Sequence, residues 1–300
     1  MLKGILAGLA AGALWGLVFV APSMTPGLSS VDLIAGRFVV FGVMAALVMV
    51  FTRATHKLPT TGQALAALGM SVLGFTGYYL LLVLAIHRAG TGVPALIIGT
   101  IPIWVMLLGK PIGLKWATLL PGLLLTAAGL VLMMNVPLGA PQAEQAPSGS
   151  HYWQGIALVV AAAASWTAFA ILNAAWLKRH PEVNATEWAN WLGIATGAGA
   201  VLLWLVAGSS SKELLALDNI GLAAIVCVAT GIGSAWIAAI LWNIASQRLS
   251  ASLCGQLIVS ETLFALLYSL LWDGAWPGEL QLLAAVLFTL GILASIRAHR

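Results

Sequence analysis

The chain has 300 residues, of which 61% are hydrophobic and only 7% are charged, and its mean hydropathy is +1.02. A soluble domain carries about 25% charged residues, so a soluble fold of this length could not bury so much apolar surface, and the composition indicates a polytopic membrane protein. The net charge of +4 is no evidence for nucleic-acid binding, because the meaning of basic residues in a membrane protein depends on which loops carry them.

Ten apolar segments follow one another along the chain. They lie near 3–21, 31–51, 63–86, 93–109, 115–135, 153–176, 186–207, 217–242, 251–272 and 279–297. Most approach the ~20 residues that a helix needs to cross ~30 Å of hydrocarbon. Because isolated strands would leave backbone polar groups unpaired in lipid, we predict an all-α membrane protein with ten transmembrane helices.

The distribution of basic residues predicts the orientation. With the N-terminus in the cytoplasm, ten of the 13 Lys and Arg residues fall on the inner side, two fall on the outer side, and Arg37 lies within the second helix. The inner residues are Lys3, Arg53, Lys57, Lys110, Lys115, Lys178, Arg179, Arg248, Arg297 and Arg300, and the outer ones are Arg88 and Lys212. This bias follows the positive-inside rule and predicts that both termini are cytoplasmic.

The two halves of the chain resemble each other. AAGALWGLVFV at 10–20 parallels AAAASWTAFAI at 161–171, which matches Trp15 with Trp166. A segment rich in Pro, Gly, Ala and Ser separates the halves, as expected of a flexible linker. The predicted units are a first repeat at 1–136, an external linker at 137–151 and a second repeat at 152–300. Five helices per half invert the second copy, which is the architecture of many secondary transporters, with the substrate site at the midplane.

The repeat also relates the fourth and ninth helices. RAGTGVPALIIGTIPIWVMLLG at 88–109 parallels RLSASLCGQLIVSETLFALLYS at 248–269, so that Glu261 falls opposite Ile101 and Thr262 opposite Pro102. Pro102 predicts a break near half-depth in the fourth helix, and we expect a gentler break in the ninth. A carboxylate at that depth is costly unless it is paired, so Glu261 should face the bundle interior.

Four residues are candidates for gating or coupling. They are Glu261, Arg37, Asn243 and Pro102. We expect Glu261 to have a structural and gating role, held by Arg37, Asn243 or a tyrosine, and a proton-coupling site is the alternative. For Arg37, snorkelling outward or holding a backbone carbonyl is favoured over direct substrate binding.

Deeper aromatic and polar side chains are the candidate substrate contacts. They are Trp15, Tyr78, Tyr79, Trp104, Trp166, Asn173, Trp236, Gln256, Ser260 and Phe264. The case is best for Trp15 and Trp166, because the repeat would place two indoles across its axis. For the others, lipid-facing packing and hydrogen bonding between helices stay open as alternatives. Six tryptophans near helix ends are instead predicted to lie in interfacial belts, namely Trp116, Trp153, Trp176, Trp188, Trp272 and Trp276.

Several of these segments resemble a known family. The openings ALWG and ASWTAF, Arg37 within AGRFVVFG, and the segments TIPIW and SETLFALLYSLLW resemble the ten-helix EamA-type branch of the drug/metabolite transporter superfamily, over essentially the whole chain. Within it, the charge-poor, aromatic helices are most similar to YddG-type exporters. One departure is Glu261-Thr262, where many members carry a Glu-Pro pair.

The resemblance implies a secondary transporter of the bacterial inner membrane that exports aromatic and other neutral amino acids by alternating access. The sequence has no CxxC motif or Cys/His cluster, and we expect no cofactor, metal, nucleic acid or obligatory protein partner. An exporter of another small amphipathic solute and a passive, channel-like facilitator stay open as alternatives. A membrane enzyme is disfavoured, because the sequence contains no HExxH, GxSxG or GxxxxGK[ST] motif.

The predicted topology can be tested by cysteine-accessibility labelling in a background without Cys227 and Cys254. A cysteine at Ser148, in the linker, should react with a membrane-impermeant maleimide added to intact cells, whereas one at Arg300 should react only after the membrane is opened. Labelling of both positions from the same side would contradict the inverted repeat.

Overall fold

Each of the ten apolar segments forms a helix in a computed structural model of the protein, which describes residues 1–52, 58–90, 92–135, 149–274 and 276–300. The helices are α1 (Leu2–Met24), α2 (Ser30–Phe51), α3 (Thr61–Ala89), α4 (Gly92–Leu108), α5 (Trp116–Met134), α6 (Ser150–Arg179), α7 (Ala185–Ala207), α8 (Ile220–Arg248), α9 (Ala251–Asp273) and α10 (Glu279–Ala298). Within these described ranges, nine are long and apolar enough to span a membrane, and α4 is a shorter apolar helix. The prediction of an all-α membrane fold is therefore confirmed.

Local polar residues fix the ends of several helices. The Asn184 side chain accepts hydrogen bonds from the first turn of α7, and Glu187 accepts one in return from the Asn184 backbone. Thr60 and Gln63 form the same capping box at the start of α3. Such caps satisfy N–H groups that the helix itself leaves free. Most of the predicted linker, and the inner residues Arg53 and Lys57, lie outside the described residues.

Two helices are broken at matching places. α4 consists of α4a (Gly92–Gly99) and α4b (Ile101–Leu108), and α9 of α9a (Ala251–Ile258) and α9b (Ser260–Asp273). Proline in the first turn of α4b explains the first break, since it cannot donate to the preceding turn. In α9 the break needs no proline. A single residue, Val259, separates α9a from α9b, and its N–H donates to the Gln256 carbonyl in a tight turn. The structure thus contains both predicted breaks.

A second pair of irregularities repeats the same relation. α3 contains a π-helical segment at Val72–Thr76, and α8 contains one at Gly231–Ile237. They are separated by nearly the same number of residues as Arg88 and Arg248. π-segments are rare and concentrate at functional sites. Their occurrence at equivalent places in α3 and α8 supports the relation between the two halves.

Helix packing follows the same correspondence between the two halves of the chain. α1 packs against α8 and α9, and α6 packs against α3 and α4. The pairs α2–α7, α5–α10 and α4b–α9a join each helix to its own counterpart in the other half. Exchanging the first five helices with the last five reproduces these helix pairings, as expected of two inverted repeats.

Glycines allow the closest of these contacts. In α1, Gly4, Gly8, Gly12 and Gly16 recur every four residues, which predicts a smooth ridge for a neighbouring helix. A Cβ atom added at Gly8 would lie 2.6 Å from the Leu257 side chain. One added at Gly16 would lie 2.9 Å from Phe264. The α1 ridge therefore faces α9, and its glycines serve packing.

A close backbone crossing joins α2 and α7 at Gly42 and Gly197. A Cβ at Gly42 would lie 2.8 Å from the Gly197 Cα atom, so Gly42→Ala should force the helices apart and destabilise the protein by ~1–3 kcal/mol. Gly69→Ala is the matched control, because no atom lies within 4 Å of its added Cβ and alanine favours the helix. Thermal unfolding in detergent should show a lower Tm for Gly42→Ala only. Equal Tm values for the two variants would contradict the close crossing.

Candidate functional site

The breaks in α4 and α9 and the π-segments of α3 and α8 surround one cavity of about 200 Å³. Its aromatic lining residues are Trp15, Phe19, Phe38, Phe75, Tyr78, Tyr79, Trp166, Phe169, Trp242 and Phe288. Its polar and charged lining residues are Arg37, Ser234, Asn243, Glu261 and Thr262. A largely apolar cavity with a few converging polar groups is the usual form of a small-molecule site.

Three tryptophans form the centre of the wall. The ring centroids of Trp15 and Trp166 lie 6.4 Å apart in an edge-to-face arrangement. The Trp242 ring lies 5.3 Å from that of Trp15 and 6.2 Å from that of Trp166. The structure thus brings together the two indoles that the repeat related. Sequence reasoning missed Trp242, because its counterpart in the first half, Leu82, is not aromatic.

Arg37 is held in the cavity wall by aromatic neighbours. Its side chain is only 6% exposed, and its guanidinium donates a hydrogen bond of 3.0 Å to the Tyr79 hydroxyl. The guanidinium carbon lies 4.8 Å from the centre of the Phe38 ring. Its Nε is buried, with no hydrogen-bond partner in the described part of the chain. The expectation that Arg37 snorkels outward is therefore wrong, since its head group contacts the cavity wall instead.

Glu261 lies on the same cavity at the start of α9b. In the ranges that the structure describes, its carboxylate has no hydrogen-bond or ion-pair partner. The expected donors bind other groups, because the Arg37 guanidinium donates to the Tyr79 hydroxyl and the Asn243 amide donates to the Ala185 carbonyl. In this conformation, the carboxylate does not hold α9 against a neighbouring helix.

Three predicted polar contacts form hydrogen bonds within the helix bundle instead of lining the cavity. Gln256 Oε1 accepts hydrogen bonds from Thr126 in α5 and Ser295 in α10, and its Nε2 donates to Thr126 at 2.8 Å. Ser260 donates to the Leu257 carbonyl of its own helix. Asn173 donates to Asn243. The prediction of a cavity position is wrong for all three, and the alternative of hydrogen bonding within the helix bundle applies.

Three predicted aromatic contacts also lie elsewhere. Trp236 is on the other side of α8, where its indole donates a 2.8 Å hydrogen bond to Asn190. Trp104 is 49% exposed on the outside of α4b. Phe264 packs against Gly16 and stacks with Tyr268. Of the predicted site residues, the cavity therefore retains Trp15, Tyr78, Tyr79, Trp166, Arg37, Asn243, Pro102 and Glu261.

The predicted interfacial belt is also corrected. Trp116, Trp153, Trp272 and Trp276 are exposed near helix ends, as a belt requires. Trp188 is completely buried, stacks 3.7 Å from Trp176, and donates a 2.6 Å hydrogen bond to Asn173. These two rings therefore belong to the packing between α6 and α7, because their indoles face each other and not lipid.

Comparison with known proteins agrees with this architecture. Residues 2–135 match the model of the EamA-like transporter family. The inner membrane protein YtfF of Escherichia coli (strain K12) is 30% identical over 319 residues, covering 99% of this chain and 96% of the relative. The chain belongs to the EamA-like transporter family. A crystal structure of a protein 21% identical to it has a TM-score of 0.77, covers 99% of this chain and 97% of its own, and supports the fold.

The cavity of this EamA-like transporter is closed at the end of the bundle that carries both termini. There, Ser252 N–H of α9a donates to the Gly109 carbonyl of α4b at 3.1 Å, and Gly4 packs against Leu249. All side chains from Ser252 to Ile258 are buried, whereas none from 261 to 272 is. The bundle is tightly packed on the terminal side of the cavity and looser on the other side.

The aromatic wall gives a mutational test. Trp15→Ala, Trp166→Ala and Trp242→Ala each remove an indole from the cavity, and loss of one aromatic contact should weaken the apparent substrate affinity ~3–10-fold. The control, Trp276→Ala, removes a ring that is 81% exposed and should leave transport unchanged. Initial rates in proteoliposomes, normalised to the amount of folded protein, measure the difference. Equal losses in all four variants would show that the cavity does not bind the substrate.

Proposed function

We propose that this EamA-like transporter exports aromatic and other neutral amino acids across the bacterial inner membrane by alternating access, as YddG-type exporters do. One observation carries the proposal. The midplane cavity presents three contacting tryptophans together with one cation and one anion. Such a wall suits a small solute that combines an apolar side chain with a polar, net-neutral head group.

The size of the cavity favours a small solute. Its volume of about 200 Å³ lies below the ~300–1,000 Å³ of typical drug-binding pockets. Phosphorylated substrates are disfavoured, because phosphate recognition relies on several Arg or Lys donors. Arg37 is the one basic side chain among the described residues of the wall.

The helix breaks favour alternating access over passive conduction. Discontinuous helices at the interface of inverted repeats form the midplane sites of secondary transporters. The cavity is sealed by the helix contacts at the terminal end, which a continuously open channel would lack. If the termini are cytoplasmic, as predicted from the basic residues, the conformation faces outward.

Transport in proteoliposomes tests the proposal. Vesicles loaded with unlabelled phenylalanine should accumulate labelled phenylalanine by counterflow, and unlabelled tryptophan and leucine should compete, because the wall binds apolar side chains. Sugar phosphates and quaternary amines should not compete. Vesicles without protein and vesicles with Trp166→Ala serve as controls. Competition by sugar phosphates or organic cations alone would overturn the proposal. In a separate measurement, an imposed pH gradient shows whether transport is coupled to protons.

A further inference from the structure

We infer that Arg37 and Glu261 are the two poles of a zwitterion site, in which Arg37 binds the substrate carboxylate and Glu261 binds its ammonium group. The inference rests on the proposed function, because it names how the same cavity would select an amino acid. It assigns both residues to binding the solute, in place of the structural and gating role expected of Glu261 and the snorkelling or carbonyl binding expected of Arg37.

The charge of the cavity suits a zwitterion. Among its described lining residues, Arg37 and Glu261 are the two with a formal charge, and the charges are opposite. They belong to different repeats, since Arg37 lies in α2 and Glu261 in α9b. They do not form an ion pair with each other. Two unpaired opposite charges on one apolar wall match a solute that carries both charges itself.

Arg37 has hydrogen-bond donors that no described residue uses. A guanidinium has five N–H donors, and the hydrogen bond to Tyr79 uses one of them. The buried Nε has no partner within the described chain, and an unsatisfied buried donor is destabilising. A carboxylate can accept two parallel hydrogen bonds from a guanidinium. The contacts with Phe38 and Tyr79 fix the guanidinium plane before the substrate arrives.

Glu261 in turn lacks a hydrogen-bond donor for its carboxylate. Its carboxylate lacks a donor in the described structure, although it lies deep in the bundle, where an unpaired charge is costly. Its position in the first turn of α9b stabilises a negative charge through the helix dipole. An ammonium group supplies three donors and a positive charge. A zwitterion therefore satisfies both poles, whereas an amine or a carboxylic acid leaves one of them unpaired.

Three ligands with one aromatic side chain separate the two poles. Phenylalanine carries both charges, phenethylamine lacks the carboxylate, and 3-phenylpropionate lacks the ammonium group. Each should compete with labelled phenylalanine for the wild-type protein in proteoliposomes. In detergent, quenching of tryptophan fluorescence measures the binding of each ligand directly. Because each analogue leaves one buried charge unpaired, both should bind at least about tenfold more weakly than phenylalanine.

The variants should change these ratios selectively. Arg37→Gln should remove the preference for phenylalanine over phenethylamine but keep the preference over 3-phenylpropionate. Glu261→Gln should do the reverse. Because each readout is a ratio measured on one protein preparation, it does not depend on the yield of folded protein. If Arg37→Gln does not fold, Arg37→Lys takes its place. It keeps the positive charge but not the planar guanidinium, so it should retain a reduced preference for the carboxylate.

Matched controls remove one exposed charge of each sign. Lys212→Gln and Glu279→Gln change residues outside the cavity, so all ratios should stay at wild-type values. Equal weakening of the three ligands by Arg37→Gln or Glu261→Gln would overturn the inference and leave structural roles for both residues. Phenylalanine transport in which both analogues compete as strongly as phenylalanine itself would also overturn the inference but would spare the proposed function. The proposed function fails separately if no neutral amino acid is transported.

Discussion

The absence of water in the bilayer core is the constraint on which this structure depends. A backbone group without a partner in lipid costs several kcal/mol, so irregular backbone is tolerated only inside the protein or beside a polar cavity. The two breaks and the two π-segments in the membrane-spanning helices all border the central cavity. The location of the candidate site therefore follows from where the backbone departs from regular helix.

The same constraint explains how much the sequence predicted. Helix number and the breaks in α4 and α9 were predictable, because length, hydropathy and internal repetition report them directly. Which face of a helix borders the cavity was not. These helices are apolar on every side, so periodicity does not distinguish a lipid face, a helix contact and a cavity wall. Gln256 and Trp236 were therefore assigned to the cavity, although their polar atoms bind neighbouring helices.

Repeat symmetry supplied information that periodicity lacked. Trp15 and Trp166 could be paired in advance because each marks the same place in its half, and their rings do meet in the cavity. Trp242 has no aromatic counterpart and was missed, and Trp188 resembled a belt residue because it lies close to a helix end. Its burial depends on Asn173 and Trp176 in α6, a tertiary contact that no local pattern reports.

The contacts that close the terminal end are not duplicated in the other half. Gln256 joins α9 to α5 and α10, but the repeat places Leu96 opposite it, and Asn243 corresponds to Val83. These two hydrogen-bonding residues thus have apolar counterparts in the first half. Each of their hydrogen bonds contributes ~0.5–1.5 kcal/mol and favours the conformation closed at the terminal end. A solute that bridges α2 and α9b would act between the two repeats, where binding free energy can offset this preference and shift the transporter towards its other state.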